Sequence, residues 1–260
     1  MNPFTMRSKQ LNLITAVLAC SIFWGCNRKT EDFTSASLSD YLPLQVGKYI
    51  TYRLDSTVFV NFGGGVAVHS YQEKQIVDAQ ITDALGRTGY RILRFIRDTS
   101  GTQPWAPAGT HQIVPTDKTM EVIENNLRFI KLALPIIQDY TWEGNHYIPD
   151  DAFSSVYTFN NDRGMDKWDY TYSSVGGSMT VNGHTYNDAL TVDGVDDSFN
   201  ANETNFSAID PTVYASVNYL QDNYAKGIGL ISQTFIMWEY QPGAATRVGF
   251  GIKRSIIDHN

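Results

Sequence analysis

From Lys48 onward, apolar and polar residues alternate with a period of two, the pattern of half-buried strands rather than of helices. In Lys48–Val60 the residues Ile50, Tyr52 and Leu54 share one face. Asn61-Phe62-Gly63-Gly64-Gly65 predicts a turn, and Val66–Ile81 a long returning strand with one polar face. Gly86-Arg87-Thr88-Gly89 predicts the next turn and Tyr90–Asp98 the next strand. Residues 99–110 hold Gly101, Pro104, Pro107 and Gly109 around Trp105 and read as a loop. Met120–Glu124 and Leu127–Leu134 flank Asn125-Asn126, a pair that tolerates the positive φ of a tight hairpin. Lys167–Ser173, Ser178–Val181 and Thr185–Val192 predict a further meander with Asn182-Gly183 as its sharpest turn, and Ile228–Tyr240 and Val248–Ile257 follow.

Two patterns compete after Asp210. Asp210-Pro211 has the form of a helix N-cap followed by proline at N1, with Val213, Val217 and Leu220 on one helical face. Val213, Ala215, Val217 and Tyr219 also alternate as in a strand. The expectation is a short helix at 211–216 running into a strand. Hairpin spacing without a βαβ rhythm predicts a mainly-β domain: one antiparallel, strongly curved sheet in the form of a half-barrel, with at most one or two short helices. A β-sandwich is the alternative.

The chain's start has a different pattern. Arg7 and Lys9 precede an uncharged apolar run, Leu11–Trp24, which is short for a bilayer span. The run ends in Gly25-Cys26 and gives way to Asn27-Arg28-Lys29-Thr30-Glu31-Asp32. This resembles the lipobox of bacterial lipoproteins, whose cysteine is acylated and becomes the first mature residue. Cys20 also follows a small residue, but a cut there would leave a shorter apolar run and an apolar mature start. The expected organisation is therefore a leader at 1–25, a lipidated tether at 26–39 and a mainly-β domain at 40–260, held on a membrane through Cys26. Asn27 in place of aspartate resembles lipoproteins destined for the outer membrane. Lys29-Thr30-Glu31-Asp32 resembles the export signal of surface lipoproteins of the Bacteroidota, so either the periplasmic or the cell-surface face is expected.

Two further segments carry a resemblance. Tyr41-Leu42-Pro43-Leu44-Gln45-Val46-Gly47-Lys48-Tyr49-Ile50-Thr51-Tyr52 resembles the opening of uncharacterised Bacteroidota outer-membrane lipoproteins, with Tyr49 where those have tryptophan. Val181–Val192 and Tyr224–Ile231 resemble their later motifs. The resemblance implies an envelope lipoprotein built on a curved antiparallel sheet, similar to lipoprotein carriers, and implies no catalytic residue.

Composition narrows the chemistry. The formal net charge is −7 and falls further once Arg7 and Lys9 leave with the leader. A nucleic-acid partner needs clustered Lys and Arg, and the densest group, Arg87, Arg91, Arg94 and Arg97, would split between the two faces of a strand. After Cys26 there is no cysteine, hence no disulfide, thiol nucleophile or thiolate metal site in the domain. His69, His111, His146, His184 and His259 lack metal-site spacing, and the acidic group Asp193, Asp196, Asp197 and Glu203 lacks the calcium-loop pattern. No metal or cofactor is expected. Glu143, Asp150, Asp151, Asp162, Asp166 and Asp169 offer carboxylates for glycoside hydrolysis, but no motif supports an enzyme. Trp105, Trp142 and Trp168 are the candidate ligand-facing aromatics, with Tyr147, Tyr170 and Tyr172 near them. The expected role is a non-catalytic binding or assembly module for a lipid, a glycan or another envelope protein. An envelope glycan hydrolase and a structural subunit of an outer-membrane complex are the alternatives.

Overall fold

The computed structural model describes residues 35–202, 206 and 209–260, so Cys20, Cys26 and Glu203 lie outside the described residues. Twelve antiparallel strands form one meander. They are β1 (Tyr49–Val60), β2 (Gly65–Thr82), β3 (Thr88–Asp98), β4 (Ala106–Pro115), β5 (Thr119–Glu124), β6 (Leu127–Ala133), β7 (Thr141–Glu143), β8 (Asp169–Val181), β9 (His184–Phe199), β10 (Ala215–Ala225), β11 (Gly229–Gln241) and β12 (Thr246–His259). β1 pairs with β12, so the sheet runs β6-β5-β4-β3-β2-β1-β12-β11-β10-β9-β8-β7. The curvature goes beyond a half-barrel: the sheet curls until its two ends nearly close a barrel. Helical structure is confined to α1 (Leu38–Tyr41) and a 3-10 turn at Met165–Lys167 among the described residues.

The ends of the sheet meet at a seam. Ile130 N on β6 donates to Gly144 O just after β7 at 2.8 Å, and Trp142 Nε1 donates back to Ile130 O at 2.8 Å. Three residues on, the Tyr172 hydroxyl accepts from Ala133 N at 3.0 Å and donates to Ala133 O at 2.7 Å. Two aromatic side chains thus satisfy edge groups of β6 that a thirteenth strand would otherwise take. Gly144 is required here, because a Cβ at that position would lie 2.3 Å from the Tyr170 ring.

Local chemistry explains the turns. Asn125 and Asn126 both take positive φ, as do Asn182 and Gly183, which is the geometry of two-residue hairpins. The expectation for 211–216 is corrected: Pro211–Val213 is a turn and β10 begins at Ala215. Asp210 caps that turn instead of a helix, its Oδ1 accepting from Thr212 N and Oγ1, and the strand alternation prevails because Val217 packs beside Trp238. The loop expected at 99–110 is also shorter. β4 already pairs with β3 at Ala106 and Pro107, where a bulge accommodates the missing N–H, and β5 joins it only from Gln112. Residues 35–39, read from sequence as tether, are packed: Ala36 bridges to Ile136 and Leu38 is buried.

Two segments cover the barrel ends. At one end α1 and Leu42-Pro43-Leu44 join the main apolar core of Tyr41, Val77, Ile92, Tyr172 and Tyr224. At the other, residues 144–168 bring Ile148, Phe159 and Met165 against Met237, Phe235 and Phe250. A separate cluster around Trp238, Val217 and Phe59 lies on the outer face of the wall, beneath Phe206 and Ile209.

Tyr172→Phe removes the hydroxyl that serves both polar groups of Ala133. With those groups left unpaired, urea unfolding should show a loss of roughly 2–4 kcal/mol. A change smaller than about 0.5 kcal/mol, the size of a neutral surface substitution, would mean the seam does not depend on this side chain.

Candidate functional site

Charged residues recur on the inward faces of strands, flanked at i±2 by apolar ones. Ile92-x-Arg94-x-Ile96, Leu220-x-Asp222-x-Tyr224 and Ile252-x-Arg254-x-Ile256 are the clearest cases. The strand register brings them to one level: Arg94 is opposite Gln75, Asp222 opposite Gln233, and Gln233 opposite Arg254. Glu73, Glu124 and Lys131 join them from β2, β5 and β6. Together they form a charged layer across the barrel.

The layer is internally paired. Glu73 accepts from Arg94 Nε and Arg254 Nε, both at 3.0 Å, and from Gln75 Nε2 at 2.7 Å. Arg94 Nη1 also reaches Glu124, and Arg254 Nη1 reaches Gln233. Lys131 Nζ donates to Asp222 Oδ2 at 2.8 Å, and Gln233 Nε2 donates to Asp222 Oδ1 at 2.7 Å. Glu73 and Asp222 are almost wholly buried, so these charges persist only because each has a counter-charge and hydrogen bonds. Burial alone would raise the Glu73 carboxyl, but Arg254 and Arg94 outweigh it and hold the group at about 2. Burial likewise opposes the Lys131 ammonium, and Asp222 more than compensates.

This layer separates two cavities. The smaller, ≈ 140 Å³, lies under Leu42-Pro43-Leu44 and is lined by Ile50, Tyr52, Val77, His111 and Tyr224. The larger, ≈ 440 Å³, lies under residues 144–168 and is lined by Phe129, Phe153, Tyr157, Trp168, Phe235 and Phe250. Val122, Glu124, Lys131, Gln233 and Arg254 line both. The larger volume is within the range of small-molecule sites and has their usual make-up, mostly apolar with a few convergent polar groups.

His111 is 7% exposed and lines the smaller cavity, yet its Nδ1 has no hydrogen-bond partner. Burial pushes its pKa down to about 4, so the ring is neutral at neutral pH. The cover of the larger cavity is held by polar anchors. Tyr170 OH donates to Asn145 Oδ1 at 2.8 Å, and Asn145 Nδ2 donates to Met165 O at 3.0 Å. The buried Glu239 carboxylate accepts from Asn160 N at 2.8 Å, Asn161 N at 3.2 Å and Tyr214 OH at 3.2 Å.

The three candidate tryptophans are not brought together. Trp168 lines the larger cavity. Trp142 is buried at the seam, 4.6 Å between ring centroids from Tyr172. Trp105 lies beneath the Arg97 guanidinium at 4.1 Å, beside the β3–β4 turn. Of the nearby tyrosines, Tyr170 lines the larger cavity, Tyr172 belongs to the seam and Tyr147 is exposed. None of Glu143, Asp150, Asp151, Asp162, Asp166 and Asp169 lines either cavity. Of the charged layer, only Arg94 stood out in the sequence, as part of a basic stretch. The apolar-x-charged-x-apolar pattern marks Lys131, Asp222 and Arg254, whereas Glu73 and Glu124, followed at i+2 by Gln75 and Asn126, carry no such signal. Among the described residues no group of three or more His, Cys, Asp or Glu could hold a metal ion.

The layer makes stability depend on pH in two windows. Between 6.5 and about 4, the unfolded chain takes up a proton at His111 that the folded chain refuses, so stability falls as pH falls. Between 4.5 and about 2, the same sign holds for Glu73, whose folded-state carboxylate is protonated later than the unfolded one. In denaturant titrations, His111→Gln should remove the first component, of the order of 3 kcal/mol. Parallel stability profiles for wild type and variant between pH 4 and pH 6.5 would contradict the buried, unpaired state of this ring. Glu73→Gln leaves two guanidinium groups short of their counter-charge and should cost about 3–5 kcal/mol at neutral pH.

No protein-family model and no curated protein matches the sequence. Among solved structures, the chain is similar to one from Bacteroides fragilis described as an exported protein with a YmcC-like fold. The two are 11% identical and superpose with a TM-score of 0.35 over 84% of this chain and 99% of that chain.

Proposed function

We propose that this protein is an envelope lipoprotein, anchored through Cys26 to the outer membrane, whose barrel is a non-catalytic binding module for a small amphipathic molecule. The observation that carries the binding role is the ≈ 440 Å³ cavity, apolar over most of its lining and polar at one end. A structural subunit would have no need of such a space. A glycan hydrolase would need two carboxyl groups converging on its substrate, whereas among the described residues Glu124 is the one carboxylate that lines the larger cavity.

The anchor rests on the leader and on the residues that flank Cys26. Nine residues lead from Cys26 to Ser35, a reach of at most about 32 Å. The first described residues then pack at the barrel end that carries Leu42-Pro43-Leu44 and the smaller cavity.

Mass spectrometry of the protein purified from its own envelope should find Cys26 as an acylated first residue, and organic extraction should release a small amphiphile in near-stoichiometric amount. An unmodified Cys26, or Cys20 as the first residue, would overturn the anchor. Protein repeatedly recovered without any bound small molecule, and without affinity for amphiphiles added later, would overturn the binding role.

A further inference from the structure

The charged layer limits what kind of head group the interior accepts. Three cations, Arg94, Lys131 and Arg254, face three anions, Glu73, Glu124 and Asp222, so the layer is balanced without a ligand. Its hydrogen-bonding capacity is only partly used. Both oxygens of Glu73 and both of Asp222 are already accepting. Arg94 and Arg254 use Nε and Nη1, and Nη2 of each carries no hydrogen bond among the described residues. Lys131 uses one of its three N–H groups. Arg94, Arg254 and Lys131 thus keep spare N–H donors at the edge of a space already neutral in charge, and both buried carboxylates are engaged at each oxygen.

We infer that the ligand is a neutral amphiphile with carbonyl-type acceptors in its head group, of the acylglycerol or N-acyl-amide class. Its apolar part occupies the chamber of Phe129, Phe153, Trp168, Phe235 and Phe250, and its head meets Arg94, Lys131 and Arg254. This rests on the binding role proposed above. An anionic head would find donors too, but it would add an uncompensated charge at low dielectric. A cationic head would meet the surplus donors and find Glu124 Oε2 as the one layer carboxylate oxygen not already accepting. An ester or amide carbonyl satisfies the spare N–H groups and leaves the charge balance intact. Aromatic side chains suit the tail, since they offer large apolar contact at little rotamer cost.

The test is native mass spectrometry of the full chain released from detergent, with 1-monolaurin, laurate and dodecylamine added singly at equal concentration and pH 7. Val58→Trp, which projects bulk into the larger chamber from β1, corrects for adducts that form outside it. The wild-type chain should carry monolaurin at least tenfold more than either ionised probe, and the variant should lose that adduct. Laurate or dodecylamine retained as well as monolaurin would overturn the neutral-head inference while leaving the binding role standing. Adducts that are absent, or equal in wild type and a folded Val58→Trp, would overturn both. If the variant does not fold, the ranking of the three probes on the wild-type chain still decides the head-group question.

Discussion

Twelve strands enclose more space than wall side chains fill. Barrels of about eight strands are just filled by their own interior residues, and wider ones must be plugged, cavitated or wet. Most of the interior here follows from that width. One end is covered by α1 and Leu42-Pro43-Leu44, the other by residues 144–168, and the middle is crossed by long charged side chains. Arginine and lysine span a wide interior better than leucine, because their apolar stems pack along the wall while their heads meet partners from across it. All of this presupposes closure, which rests on the Ile130–Gly144 backbone bond and on the Trp142 and Tyr172 side chains that reach β6 beside it.

A charged layer in a protein interior is not in itself stabilising. Replacing such a network with well-packed apolar residues is often neutral or favourable, whereas removing one member is costly. Its presence therefore argues for what it does to the space around it. Here it divides the interior into a small, mostly aliphatic cavity with His111 in its wall and a larger aromatic one. It also gives the larger cavity a polar end, which an apolar filling could not.

How much was legible in the sequence depended on whether a residue's neighbours in the chain or its neighbours in space decided its role. The hairpins at Asn125-Asn126 and Asn182-Gly183 are set by local φ preferences and were readable. So was the inward face of Ile50, Tyr52 and Leu54, fixed by alternation. β4 was hidden because Pro107 and Gly109 punctuate it, and only the bulged pairing with β3 makes a strand of it. The helix expected after Asp210 failed for a related reason: its capping signal was real, but it served a turn, and the strand beyond is held by Trp238. Glu73, Lys131, Asp222 and Arg254 were harder still, since each looks like an ordinary polar residue until the register of seven strands places them together. Aromatic identity misled in the same way. Trp142 serves closure and Trp105 the outer surface, and only Trp168 reaches the chamber.

The same division between wall and ends bears on how the chamber could exchange its contents. The wall is a continuous ladder of backbone hydrogen bonds from β6 round to β7, and parting two strands would break many of them at once. The 144–168 cover is attached differently. Its anchors to the wall include the Glu239 carboxylate on Asn160 and Asn161, and Asn145 between Tyr170 and Met165. The bonds to the Glu239 carboxylate contribute about 1.5–3 kcal/mol each, and the packing of Ile148, Phe159 and Met165 adds to them, so moving the cover costs side-chain contacts but leaves the strand ladder whole.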